Sequence, residues 1–241
     1  MRTTHKQKQK NITIAIDGLS STGKSTLARQ LAEALGYIYV DSGAMYRAIT
    51  WVALKEGLIG DGFFHKAQLI ELLPSLELKF IKKPEWIKAH MFVNDVDVEH
   101  EIRKLEVSRF VSSVAKLPEV RTKLVQLQQQ MGKSKGVVMD GRDIGTVVFP
   151  DAELKIFMTA SPEVRAKRRY AELLEADKSV DFQEVLDNLN ERDKMDSTRN
   201  NSPLIKALDA IEIDNSEMDL ETQFQLALFH AKKRIEKSNK N

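Results

Sequence analysis

Apolar and polar residues alternate along Ile12-Thr-Ile-Ala-Ile-Asp17, a β-branched run that predicts a buried strand. From Thr26 to Leu35 the apolar positions move to helical spacing, and Gly36 stands where a helix stop is expected. Tyr37–Val40 predicts a second strand, and residues 44–55 a helix that Asp41 or Ser42 can cap. Lys66–Leu73 predicts a helix stopped by Pro74. The period then changes. Leu76–Ile81 and Trp86–Val93 alternate around Lys82-Lys-Pro-Glu85, which predicts a small antiparallel insertion between Leu76 and Val98 with one wet face. Helical spacing returns over Glu101–Ala115 and over Pro118–Gly132, where proline suits a first turn. Gly136–Met139 and Leu154–Met158 predict strands. Ser161-Pro162 opens a strongly basic helix, and Asp181-Phe-Gln-Glu184 resembles a capping box opening another. Ala210–Ile213 predicts the last strand, and residues 220–235 an amphipathic helix. Strands alternating with helices imply a doubly wound, mostly parallel five-stranded sheet, with ligands at the carboxyl ends of its strands.

Composition narrows the field without naming a function. The 241 residues suit one α/β domain with insertions. A net charge of +2 is too small to imply a nucleic-acid partner. Much of the basic excess lies in Met1–Lys10 and Ala231–Asn241, which lack apolar periodicity and are expected to be mobile ends. The first of these has no apolar core for a secretory signal, and no run is long enough to cross a membrane, so the cytoplasm is expected. With no cysteine there is no disulfide, thiolate metal site or cysteine nucleophile. The five histidines are scattered without metal-ligand spacing.

The chemistry concentrates after predicted strands. Gly18, Leu19, Ser20, Ser21, Thr22, Gly23, Lys24 and Ser25 fit G-x-x-x-x-G-K-[ST] without a mismatch, between a strand and the helix that Thr26 continues. In that context successive backbone N–H groups and a helix N-terminus face an anion. Lys24 is expected on the β- and γ-phosphates of a nucleoside triphosphate, and the Ser25 hydroxyl on Mg²⁺. Asp41-Ser-Gly-Ala-Met-Tyr-Arg47 follows the second strand and Asp140-Gly-Arg-Asp-Ile-Gly-Thr-Val-Val-Phe-Pro150 the third. Taken alone, the first could be a helix cap and the second a charged turn. Arg165, Arg168, Arg169, Arg192 and Arg199 form an arginine series, with Arg165 and Arg169 on one helix face. Singly, each could be a solvated charge paired with Glu163 or Glu172. Together they suit phosphate, because guanidinium forks match its oxygens.

These segments, in this order, closely resemble the bacterial cytidylate kinases among the P-loop nucleoside monophosphate kinases, over nearly all of residues 12–235. The most specific marks are D-S-G-A-M-Y-R, D-G-R-D-I-G-T-V-V-F-P and the late E-R-D…R-N segment. The resemblance implies a P-loop kinase core (12–68, 104–160 and 201–235), a monophosphate-side insertion (69–103) and a short helical lid (161–200), with tails 1–10 and 236–241. It implies transfer of phosphate from ATP to CMP or dCMP, with Mg²⁺, by a monomer that needs no membrane or nucleic acid. Ser42, Tyr46 and Arg47 match the family's nucleotide-contacting residues. Ser112, Arg121, Arg142 and Asp143 match its base and phosphate contacts, with Asp140 in the same motif. Arg192, Asp196 and Arg199 match its lid residues. Lys24, Arg142, Arg192 and Arg199 carry the catalytic expectation. The chain departs from some members at Lys194-Met195 and Ser197-Thr198, and in the insertion Leu76–Val98.

A phosphate monoester is largely a dianion at neutral pH and is already a nucleophile, so no catalytic histidine or cysteine is required. The task is to bring two polyanions together and neutralise charge on the transferred group. A GTPase switch would predict N-K-x-D, which is absent. A nucleic-acid binder would concentrate basic and aromatic residues on one surface. Kinases of UMP, AMP or shikimate share the P-loop, and the Arg121/Asp143 segment leans towards cytosine.

Overall fold

The computed structural model describes residues 10–85, 89–175 and 180–240. Along the chain run β1 (Thr13–Gly18), α1 (Lys24–Leu35), β2 (Ile38–Asp41), α2 (Ser42–Lys55), β3 (Ile59–Gly60), β4 (Phe63–Phe64) and α3 (Lys66–Leu72). There follow β5 (Leu78–Ile81), β6 (His90–Val93), β7 (Val96–Asp97), α4 (Leu105–Ala115), α5 (Pro118–Gly132) and β8 (Val137–Gly141). The chain closes with β9 (Leu154–Thr159), α6 (Pro162–Glu175), α7 (Phe182–Thr198), β10 (Ile211–Asp214) and α8 (Leu220–Lys240).

Five strands form one sheet in the order β10-β9-β1-β8-β2, and every pairing is parallel. The β-branched run of β1 takes the centre because it is apolar enough to be covered on both faces. On one face Ile14 and Ile16 pack with Leu27 and Leu31 of α1 and Ala227 and Ala231 of α8. On the other, Ala15, Val137 and Met139 meet Ile144 and Val148. A further core joins α2, α4 and α5 to the antiparallel sheet β5-β6-β7. Helices α6 and α7 have a small core of their own, Ala166, Leu173, Val185 and Leu189, against which Leu105 of α4 packs.

Local signals act where the pattern placed them. Gly36 ends α1 in the left-handed conformation, Asp41 Oδ1 accepts from the Ala44 N–H at the start of α2, and Asp181 Oδ1 caps α7. Four expectations need correction. Helix α1 begins at Lys24 rather than Thr26. The helix expected over 101–115 is a short 3₁₀ turn, Glu101–Arg103, followed by α4, because Lys104 takes an extended backbone. The end expected to be mobile, from Ala231 by its composition and from 236 by the resemblance, is helical to Lys240: buried Ala231 and Ile235 keep that face of α8 on the sheet. The β3-β4 hairpin was not anticipated, since two-residue strands are too short to show alternation. The antiparallel insertion forms as expected over its described part. Trp86–Lys88 and residues 1–9 of the first basic tail lie outside the described residues.

Gly18 closes β1 with φ of 147°, and a Cβ there would lie 2.0 Å from the Met158 carbonyl oxygen of β9. No side chain can relieve a clash with strand backbone. Gly18→Ala is expected to destabilise the protein by about 3 kcal/mol or more, read as a lower urea midpoint. An unchanged midpoint would show that β1 and β9 can part at this position without loss.

Candidate active site

The loop after β1 turns on Gly23, whose φ of 84° favours glycine, and delivers Lys24 as the first residue of α1. Lys24 is not an exposed loop cation. It is buried, and its Nζ donates to the Leu19 carbonyl and, at 3.3 Å, to Thr22 Oγ1. Burial, then the Arg142 charge, push its pKa down to about 7. Ser25 Oγ and the Tyr39 hydroxyl both donate to the Asp140 carboxylate, each at 2.9 Å. Burial and the nearby Asp41 carboxylate push Asp140 up to about 6.

Ser20 ties the loop to its surroundings through every polar atom it has. Its N–H donates to Asp193 Oδ1 (3.0 Å), its carbonyl accepts from Arg165 Nη1 (3.2 Å), and its hydroxyl accepts from Arg142 Nη2 (2.8 Å). Arg165 also pairs with Asp193. The segment after β8 is pinned from below: Asp17 accepts from the Ile144 and Gly145 N–H groups, both at 2.7 Å. That clamp fixes the backbone just after Arg142 and Asp143.

Two adjoining cavities open at the carboxyl ends of the strands, where the topology predicts a ligand site. The larger, about 210 Å³, is lined by Ser20–Thr26 of the loop and by Asp41, Arg47, Arg103, Lys104, Ser108, Asp140, Arg142, Arg169, Glu172 and Arg192. Its seven cationic side chains face three carboxylates, so it attracts anions. The smaller, about 60 Å³, is lined by Ser42, Tyr46, Ser112, Arg121, Asp143, Asp196 and Arg199 with the apolar Val111 and Ala115. Gly43, Arg47, Gly141, Arg142 and Arg192 border both.

Aspartates hold these arginines. Asp41 pairs with Arg47 (3.0 Å) and Arg103 (2.8 Å). Burial alone would raise its pKa, but the two guanidinium groups hold it below the ordinary value. Arg121 pairs with Asp143, and Arg199 lies 3.8 Å from both Asp143 and Asp196. Asp196 also accepts from Arg142 Nε and from Ser112 Oγ, both at 3.1 Å. Five buried polar atoms facing this region have no hydrogen-bond partner: the Tyr46 hydroxyl, Arg47 Nε, Arg121 Nε, Arg192 Nε and Arg199 Nη2. A buried donor left unpaired is costly, and a cluster of them around a cavity fits a polar, anionic ligand.

The model of the cytidylate kinase family matches residues 14–232. A cytidylate kinase from Flavobacterium psychrophilum is 60% identical over 219 residues, covering 91% of this chain and 97% of that one. The cytidylate kinases of Flavobacterium johnsoniae (57%; 91% and 95% covered) and Phocaeicola vulgatus (52%; 89% and 93%) are similar along the same length. The chain belongs to the cytidylate kinase family. It is a nucleotide-binding kinase.

Most residues singled out in the sequence converge on this enzyme's two cavities. Ser20–Thr26 and Arg47 line the larger, and Ser42, Tyr46, Ser112, Arg121, Asp143, Asp196 and Arg199 the smaller. Gly18 and Leu19 line neither; they shape the turn, and the Leu19 carbonyl holds Lys24. The basic helix divides. Arg169 reaches the larger cavity, Arg165 serves Ser20 and Asp193, and Arg168 donates to Asn215, whose amide in turn holds the Thr22 carbonyl at 2.7 Å. Arg103, Lys104 and Ser108 were not anticipated. They carry no motif, and only the packing of α4 and its preceding turn against α2 brings them to the larger cavity.

Lys24 yields a pH test. Its folded pKa of about 7 lies below the ordinary 10.5, so burial of the ammonium penalises folding below pH 7, and the penalty fades as pH rises towards 10.5. Donor phosphates would restore the ammonium. Near pH 8, nucleotide binding is therefore expected to take up close to one proton, seen calorimetrically as a binding enthalpy that varies with buffer ionisation enthalpy. The uptake should vanish in Lys24→Met. Its absence in the wild type would show that Lys24 is already charged before binding.

Proposed function

We propose that the enzyme transfers the γ-phosphoryl group of ATP to CMP and dCMP, giving CDP and dCDP. The observation that carries this reading is the pairing of a cationic cavity at a P-loop with a smaller polar cavity whose buried donors await a partner. The larger cavity takes the phosphates of both nucleotides. The loop amides and Lys24 hold the donor, and Arg47 and Arg142 hold the acceptor phosphate. Arg192 and Arg199, on and just after α7, contribute positive charge to the transferred group. An acceptor oxygen bonds to the γ-phosphorus as the bond to the β-phosphate oxygen breaks. No side chain need remove a proton from a dianion. Residues 161–200 act as a lid that excludes water, which would otherwise hydrolyse ATP. The Ser25 hydroxyl beside the Asp140 carboxylate is a hard-oxygen pair that fits Mg²⁺. When bound there, Mg²⁺ would neutralise phosphate charge.

The smaller cavity accounts for a cytosine base. Cytosine presents an N4 amino donor beside an N3 acceptor, whereas uracil presents an O4 acceptor beside an N3–H donor. The Asp143 carboxylate can accept from the amino group, and Arg121 can donate to N3 or O2. Uracil would set O4 against a carboxylate and leave buried groups unpaired, at roughly 1–3 kcal/mol for each. Sites built on such pairing discriminate by up to about 10⁴.

A coupled assay with ATP and each of CMP, dCMP, UMP, AMP and GMP tests the activity. CMP and dCMP are expected to have the highest kcat/KM, and preference for a purine would overturn the reading. Asp143→Asn keeps the size of the side chain but replaces an acceptor with a donor. It is expected to shrink the CMP-over-UMP preference by about 10-fold or more. An equal fall for both substrates would show that Asp143 serves only its ion pair with Arg121.

A further inference from the structure

Beyond Leu105, the side of α4 that faces α7 carries buried serines. Ser108 and Ser112 stand one turn apart on α4, both buried, and meet Asn188, Arg192 and Asp196, each one turn from the next on α7. Ser112 Oγ donates to Asp196 Oδ1 at 3.1 Å. Ser108 Oγ donates to Asn188 Oδ1 at 3.1 Å and accepts from Arg192 Nη1 at 2.8 Å. Among the described residues, Arg192 makes no other hydrogen bond or ion pair, and its buried Nε has no partner.

Arg192 thus differs from its neighbours. Arg47, Arg121, Arg142 and Arg199 each have an aspartate to hold them. Arg192 borders both cavities beside Arg47 and Arg142 and has a single hydroxyl. Like charges and burial both oppose a guanidinium there, so its orientation depends on whatever fixes the fork.

We propose that Ser108 is a positioning residue, whose hydroxyl holds the Arg192 fork over the phosphate cavity in the orientation that phosphoryl transfer needs. The hydroxyl has one hydrogen, which goes to Asn188, and its lone pairs are left for Arg192. Asn188 and Arg192 lie four residues apart on one face of α7, so one serine oxygen sets both the seating of the helix and the angle of the arginine. Serine suits the position because a longer polar side chain would hold α7 off α4. The inference rests on the role given to Arg192 above.

The test is a double-mutant cycle on the full chain with Ser108→Ala, Arg192→Ala and the double variant, in steady-state kinetics with ATP and CMP. Arg192→Ala is expected to lower kcat by about 10³-fold. Ser108→Ala is expected to lower kcat by about 10-fold, with KM for CMP within about twofold and the thermal midpoint little changed. In the Arg192→Ala background, loss of the serine hydroxyl should have no further effect. A kcat for Ser108→Ala within about twofold of wild type would overturn the proposal, as would an equal loss in the Arg192→Ala background. If Arg192→Ala itself left kcat unchanged, the role of Arg192 would fail first, and the role of Ser108 with it.

Discussion

Guanidinium groups gathered round one cavity repel each other, and the site exists because buried aspartates hold them there. Asp41 holds Arg47 and Arg103, Asp143 holds Arg121 with Arg199 nearby, and Asp196 holds Arg142 and lies close to Arg199. Each carboxylate loses hydration on burial and regains it as charge-assisted hydrogen bonds from the arginine forks. Arg47, Arg121 and Arg199 each keep a buried nitrogen without a hydrogen-bond partner, which marks where the network stops.

A further buried carboxylate, Asp193, couples parts of the chain that are distant in sequence. Asp193 on α7 accepts from the Ser20 N–H of the phosphate loop, while Arg142, after β8, reaches the hydroxyl of that serine. The loop and the seating of α6 and α7 are therefore linked through Ser20, which meets Arg165 of α6 and Asp193 of α7. The polar seam between α4 and α7 suits such linkage, since its hydrogen bonds can be exchanged with water more readily than an apolar interface can be opened.

The sheet rests on apolar packing instead. Central β1 is covered on both faces, and Asp17 at its end clamps the Ile144–Gly145 backbone. The sheet end thus positions Lys24 and Asp140, whereas Asn188, Arg192 and Asp196 of α7 meet α4 through polar contacts.

The sequence by itself determined the elements whose causes are local. The β-branched alternation of 12–17, the glycine loop before α1, the Asp41 cap and the apolar faces of the helices depend on neighbours a few residues away. The five-stranded parallel sheet followed from their alternation. The candidate residues from Ser42 to Arg199 could be named as well, because each sits at a strand end or in a segment that resembles the family, and the structure gathers them around two cavities. Only the tertiary structure decided how the arginines divide their work. Arg165 and Arg169 share a helix face and look equivalent in sequence, yet one holds the Ser20 carbonyl and the other reaches the cavity. It also brought in Arg103 and Ser108, buried Lys24, and kept α8 helical to Lys240. In each case the deciding partner lies on another element. Charge pairing and burial are set by neighbours in space, which spacing along one chain does not encode.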